Sequence, residues 1–553
     1  MLIAFRYAPF MVLVSAMLVL VVVAPSKAPT AATSPFASYA GPGGASPGAT
    51  ASAAPNGSVP GAALGPAALG GPASGQALSN TGRPAGDTKH CVNGRQFGEL
   101  VQAPPCTPAF VGNNGGSTWS GVTGNSILIL YYREKDNPAV KAIEEGVGLY
   151  SDPADQQRFI PVAEQFINSH YELYGRKVHL QFFQGNCSPV PPDPTCFRTD
   201  ADAMAQLHPF AVVYDNNTNT PEFFDQLSKD HVLNWGGWHF TDNFNTAHRP
   251  WHWDVLMGGD FQAEITGEYW CKKLANKPAR FAGDPTGVLQ TQTRKVAIVV
   301  PQYDVTVESA NHLAAIINAC APNSAEIVSY SSDTTTATAQ ATNDVAKEKQ
   351  HGDTSILWFS DPIAPVYGTT AEAQQNYYPE EVLVGSGLVD YDVLGQLYNP
   401  SEWKHAFGPS DQYDNLPFTK TDAATVWHTE GQSGDPYTSA NLPWGYFSAI
   451  SYILNQTGPN LNPGTFEAAA FRGPYRSPYL ALHDVYHQYV KWGTDPNLPG
   501  SYAGISDQRE VYWDGTTNSA TNNKPGSYIP LNGGARYQLG QWTTGEPSLP
   551  PGV

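Results

Sequence analysis

Short, continuously apolar segments rich in β-branched and aromatic residues recur along the chain, with helical patterns between them. Ile127–Tyr132 precedes the helical stretch Asp155–Ser169, and Val178–Phe183 precedes Asp200–Leu207. Phe210–Tyr214 leads to Pro221–Leu227, and Val232–Trp235 leads, after a long loop, to Phe261–Leu274. Val296–Val300 then precedes Val307–Cys320, Ile327–Tyr330 precedes Ala337–Gln350, and Ile356–Phe359 and Val382–Val384 follow. Strands that are apolar on both faces and alternate with helices predict an α/β fold with parallel sheets. Eight or more strands, with a change of texture near residue 255, exceed one ordinary doubly wound sheet and predict two Rossmann-like lobes.

The amino-terminal region breaks this rhythm. Arg6 precedes an almost unbroken apolar run, Ala8–Ala24, with small residues at Ala28 and Ala32. Residues 1–24 therefore read as a signal peptide or an uncleaved membrane anchor, and either places the bulk of the protein outside the cytoplasm. Residues 25–87 are mostly Ala, Gly, Pro, Ser and Thr, with Lys27, Arg83 and Asp87 as their charges. Too few large apolar side chains remain to offset the entropy of ordering, so this segment reads as a disordered stalk.

Of 553 residues, 30 are Lys or Arg and 49 are Asp or Glu, a net charge of −19. Residues 1–87 hold three of the basic groups and one acid, so the remainder is more acidic still. Such a chain lacks the basic surface that nucleic-acid binding draws on. The six cysteines, Cys91, Cys106, Cys187, Cys196, Cys271 and Cys320, all follow the stalk. In an exported protein an even count makes bridges the expectation, and joining nearest neighbours pairs 91 with 106, 187 with 196 and 271 with 320. For the last pair a buried free thiol at Cys320 is the alternative, because it ends the apolar face formed by Leu313, Ile316 and Ile317.

In an open α/β sheet, ligands bind beyond the carboxyl ends of the strands. The residues there are Arg133; Gln184 and Asn186; Asp215, Asn216, Asn217 and Thr218; Trp238 and His239; Tyr303 and Asp304; and Asp361. They are polar or aromatic and of mixed charge, which suits a small polar molecule with an apolar part. The stretch Asn234–Asp254 adds Trp235, Trp251, Trp253, His248 and His252 to Trp238 and His239, an aromatic platform or a rigid packed loop. His483 and His487 stand four apart, as in HExxH, but the acid is Asp484 and the helix edge is the simpler reading. No GxSxG elbow, phosphate-binding loop or CxxC occurs. No enzyme activity, cofactor or metal is expected.

Several stretches resemble the type I periplasmic-binding-protein family, in its branched-chain amino-acid-binding branch and its actinobacterial extracellular members. They are GNNGGSTWSGVTGNSILIL (residues 112–130), KPARFAGDP with RKVAIVVPQYD (277–285, 294–304), GPNLNPGTFEAA (458–469), and VYWDG with GGARYQLGQW (511–515, 533–542). The resemblance implies an α/β fold of two Rossmann-like lobes joined by three crossover strands, within a solute-binding domain at 88–545. Lobe 1 would span about 118–255 and 385–470, and lobe 2 about 256–384 and 471–545. It also implies an extracytoplasmic protein, acting as a monomer, that captures a small polar or amino-acid-like solute and delivers it to an ABC transporter permease. Tyr303 matches a position where the family often sets an aromatic residue against the ligand, and Asn216–Asn219 occupy its ligand-carboxylate loop. Gly236–Phe240 (GGWHF) departs from the family's small residues and favours a flatter or aromatic solute. The other readings are a stalked extracellular sensor or adhesion module, and a metal-dependent hydrolase using His483 and His487.

Overall fold

The computed structural model describes residues 91–214, 220–385, 387–434, 436–475, 487–495 and 498–550. The proposed leader and stalk, residues 1–87, lie outside them. Among the described residues no helix is long and apolar enough to cross a membrane.

A small hairpin, β1 (Cys91–Val92) with β2 (Arg95–Gln96), comes first. The first large sheet contains β3 (Ser126–Arg133), β4 (Lys177–Gln184), β5 (Ala211–Tyr214), β6 (Leu233–Gly236) and β7 (His252–Trp253) in the order β4-β3-β5-β6-β7, all parallel. The second contains β8 (Val296–Pro301), β9 (Ala325–Tyr330), β10 (Ser355–Trp358), β11 (Glu380–Val382) and β12 (Ala406–Ser410) in the order β9-β8-β10-β11-β12, again parallel. The two sheets thus share one topology, with the strand order reversing beside the first strand of each. Beyond a short β13–β14 pair (Gly493–Asp495, Leu498–Ser501), β15 (Asp507–Asn518) extends the second sheet by antiparallel pairing on β12, and β16 (Pro525–Pro530) and β17 (Arg536–Gln538) pair antiparallel with β15.

Burial follows the apolar runs. On β3, Ile127, Ile129 and Tyr131 face one core while Leu130 and Tyr132 face another. On β8, Val296, Ile298 and Val300 face the first of these cores, and Ala297 and Val299 a third. One core is therefore continuous through both sheets. Helix starts are written as Asn or Asp before Pro: Asn137, Asp152 and Asp193 accept first-turn N–H groups ahead of Pro138, Pro153 and Pro194.

The chain passes between the sheets three times, after Trp253, after Ser410 and before Asp507. Helices Asp422–Thr429 and Tyr437–Leu454 return to pack on Pro153–His170 beside the first sheet, with Phe159 against Trp427 and Phe166 against Trp444. The boundary read from sequence shifts here, because Ala406–Ser410 pairs with β11 and belongs to the second sheet, not the first. Pro409 gave no strand signal, yet its neighbours are wholly buried.

All three nearest-neighbour disulfides are present, Cys91–Cys106, Cys187–Cys196 and Cys271–Cys320. Cys320 is thus bridged, tying the end of helix Asp304–Cys320 to the turn after helix Gly259–Tyr269 across a sequence separation of 49. Replacing Cys271 and Cys320 together by Ser should lower stability by about 4 kcal/mol on chain-entropy grounds. Chemical denaturation of parent and variant under non-reducing conditions measures it.

Candidate functional site

A cavity of about 410 Å³ lies where the carboxyl ends of the two sheets meet, and residues from both sheets line it. Four of the sequence-derived candidates, Arg133, Trp238, Tyr303 and Asp361, are in its wall. Asn216, Asn217 and Thr218 lie outside the described residues, as does His483. His239 and Asp304 are not in the wall.

Arg133 ends β3 and is buried, but its charge is already used. Nη1 meets Glu134 Oε1 at 2.5 Å, Nη2 meets Asp136 Oδ1 at 2.7 Å, and Nη2 also donates to the Ser151 carbonyl at 3.4 Å. Beside it Gln156 donates through Nε2 to Tyr131 Oη at 2.8 Å and to Ser151 Oγ at 2.9 Å. Its Oε1 is buried without a hydrogen-bond partner, and the residue itself lines the cavity.

Trp238 reaches the cavity because of the glycines before it. Gly236 has φ +127°, and a Cβ there would sit 1.8 Å from the Tyr214 carbonyl, so only glycine lets β6 turn at this point. The indole then packs over Gly387 in the loop after β11; a Cβ on Gly387, at φ +56°, would come within 2.2 Å of the ring. Trp238 thereby bridges loops of the two sheets.

His239 points the other way. It is buried at φ +46°, its Nδ1 lies 2.7 Å from the Met257 carbonyl, and burial pulls its pKa down to about 4. It is a neutral brace beside Trp238. The rest of the aromatic stretch is also packing: Trp235 stacks on Trp253 at 5.7 Å, Trp251 on Trp119 at 6.0 Å, and His252 Nδ1 pairs with Asn234 Oδ1 at 2.8 Å.

On the second sheet, Tyr303 caps helix Asp304–Cys320 and donates to Ser332 Oγ at 2.8 Å, and burial pushes its pKa up to about 12. Asp304 is exposed in the first turn of that helix. Asp361 is held by Tyr330 Oη at 2.5 Å and by the N–H groups of Ile363 and Ala364 at 2.8 and 3.1 Å. It is a loop cap, with both oxygens engaged.

The sequence reading passed over the helix Pro138–Val147, which supplies Val140, Ile143 and Glu144 to the wall. Val140, Ile143 and Val147 form a short apolar stripe on it, but none of its residues is fully buried, because that face lines the cavity. That stripe, the Asn137–Pro138 start and the Gly148 end were its available signals. Burial pushes the Glu144 carboxyl up to about 7, against the pull of Arg133. Tyr391, Tyr413 and Asn441, from the loops after β11 and β12 and from helix Tyr437–Leu454, were missed because their elements reach the cleft only through tertiary packing. The wall as a whole is aliphatic and aromatic, with Glu134, Glu144, Asp344, Glu348, Asp361 and Glu372 against a single arginine.

No family model and no curated protein matches the chain. Among solved structures, it is similar to the solute binding protein of an ABC transporter from Rhodopseudomonas palustris HaA2 in complex with p-hydroxybenzoic acid, at 11% identity over 75% of this chain and 98% of that one, TM-score 0.50. It is also similar to an ABC transporter solute binding protein from R. palustris in complex with 4-hydroxybenzoate, at 13% identity over 76% and 99%, TM-score 0.49. A fatty acid ABC transporter substrate-binding protein from Thermomonospora curvata matches at 12% identity over 77% and 98%, TM-score 0.48. The likeness is one of architecture: the chain has the type I periplasmic-binding-protein fold.

The buried neutral imidazoles set an acid limit. His239 and His252 have pKa values pulled down to about 4 and about 3 by burial, from an unfolded value near 6.5. The unfolded chain binds the extra protons first, so their stabilisation is complete above about 6.5 and is lost as pH falls towards 4. Denaturant midpoints between pH 7 and 4 should fall less steeply for His239→Gln than for the parent.

Proposed function

We propose that this protein is an extracytoplasmic solute-binding protein that captures a small molecule between two lobes and presents it to an ABC-type transporter. The observation that carries this reading is the cavity walled from both sheets at their strand ends, where a solute would contact both lobes at once. Its volume, about 410 Å³, is that of a small-molecule site. The domain division, export by residues 1–24 and tethering by residues 25–87 belong to the same proposal, and three disulfides agree with an oxidising compartment.

The wall chemistry narrows the solute. A carboxylate would need a cation, and Arg133 is already shared between Glu134 and Asp136. Trp238, Tyr303, Tyr330 and Trp358 offer ring surface, and the Glu144 carboxyl offers an acceptor. A neutral or cationic molecule with an aromatic or aliphatic body and at least one N–H or O–H donor fits this wall.

A thermal-shift and calorimetric screen of amines, amides, phenols and matched aromatic carboxylates tests the proposal. Neutral and cationic members should raise Tm, and Trp238→Ala should weaken their binding by about tenfold or more. Carboxylates binding equally well would overturn the charge assignment. No binding by any class would overturn solute capture.

A further inference from the structure

The cavity does not end at the cleft between the sheets. One arm of it lies between the second sheet and the helices that cover that sheet, Ala337–His351 and Ala364–Gln374. The floor of the arm is a single row across three strands, where register sets Trp358 beside Val299 and Val299 beside Val328. Val299 and Val328 stand two residues behind the strand ends Pro301 and Tyr330, which also line the cavity, so the space runs back about 6.6 Å under the helices. Along helix Ala337–His351 the wall takes in positions from Ala337 to Glu348, about 16 Å of helix.

Two features keep this arm open. Towards the floor, helix Ala337–His351 presents Ala337, Ala341 and Val345, one row at four-residue spacing, and its neighbour presents Ala364 and Gly368. Alanine and glycine leave room that larger side chains would take. The Trp358 indole is held to one side, because its Nε1 donates to Glu381 Oε2 at 2.6 Å and a Cβ on Gly368 would come within 2.4 Å of its ring. Interiors pack to a density of about 0.75 with few voids, so a gap between a sheet and its own helices costs stability and calls for a reason. The far end is closed by Glu348 and Glu372, both at most 3% exposed, and burial pushes both carboxyls up towards their neutral form. Among the described residues, no lysine or arginine lines the arm.

We propose that this arm is a subsite for an apolar tail, so that the captured solute is elongated and amphipathic, with a polar head in the cleft and a narrow, unbranched hydrocarbon chain under helix Ala337–His351. The inference rests on reading the cavity as a solute site and adds the shape of the solute to it. Valine, alanine and indole surfaces around the arm suit methylene groups, which gain most from leaving water and ask for no hydrogen bond. A charged tail end suits it poorly. An anion there would lie beside Glu348 and Glu372 with no cation near it, and an ammonium would have to draw the protons off those buried acids. Glycine and alanine at 368 and 341 leave width for a chain, which a branched or ring-shaped tail would exceed.

Calorimetry on the full chain with n-alkylamines and n-alkanols of two to ten carbons tests this. Affinity should rise about three- to fourfold per methylene through the middle of each series. Cyclooctylamine should bind about tenfold more weakly than n-octylamine, as should 1,8-diaminooctane with its second ammonium. Ala341→Leu should abolish the gain with length, and Ala346→Leu, on the exposed face of the same helix, should keep it. An octylamine with a terminal diazirine should label peptides within residues 337–372, a readout that depends on no variant. Short members that bind with no gain from length, or label confined to residues 133–156, would overturn the tail subsite and leave solute capture standing. Equal affinity for 1,8-diaminooctane would overturn the apolar character of the arm. No binding by any member, short or long, would overturn the subsite and count against solute capture as well.

Discussion

A parallel strand has to be covered on both of its faces, and that requirement governs this molecule. Covering β3 and β8 on both sides forces helices onto each face of each sheet and sends every connection to the strand ends. With both sheets in the same strand order, the loops at their carboxyl ends become the places free to hold polar side chains. The cleft is a by-product of how the cores are sealed, and its chemistry is set by the side chains that those loops carry.

The same requirement explains which parts of the fold were legible in sequence. Runs such as ILILYY and VAIVV declare a strand buried on both faces because no polar residue interrupts them. β11 and β12 do not. The strand at β11 was read at Val382–Val384, whereas it begins at Glu380, because two adjacent glutamates read as loop. Only the folded molecule brings Arg294, 86 residues earlier, onto Glu380. β12 hides behind Pro409, and its partner β15 lies about a hundred residues further along the chain.

The site was legible to a similar depth. Strand-end logic placed Arg133, Trp238, Tyr303 and Asp361 in the wall, because position after a strand decides where a residue goes. It could not decide what the residue does there. His239 follows Trp238 directly but turns into the core onto the Met257 carbonyl, and Asp361 spends its oxygens on a helix start. Arg133 stood among candidates of mixed charge, and in the fold Glu134 and Asp136 share it. Proximity in sequence hid that pairing in plain view, since three of the four residues from 133 to 136 carry the relevant charges.

Under the proposed function, the seating of Trp238 over the Gly387 backbone would bear on how tightly a solute is held. The contact joins the two halves of the cleft without passing through a solute, so it would contribute equally to closure around every occupant. It shifts the balance between apart and together by a fixed amount, and the solute has only the remainder to supply. Selectivity must then come from the wall atoms that differ from one occupant to the next. Affinity across the whole set of solutes would rise and fall together with the fit of one indole ring on one glycine.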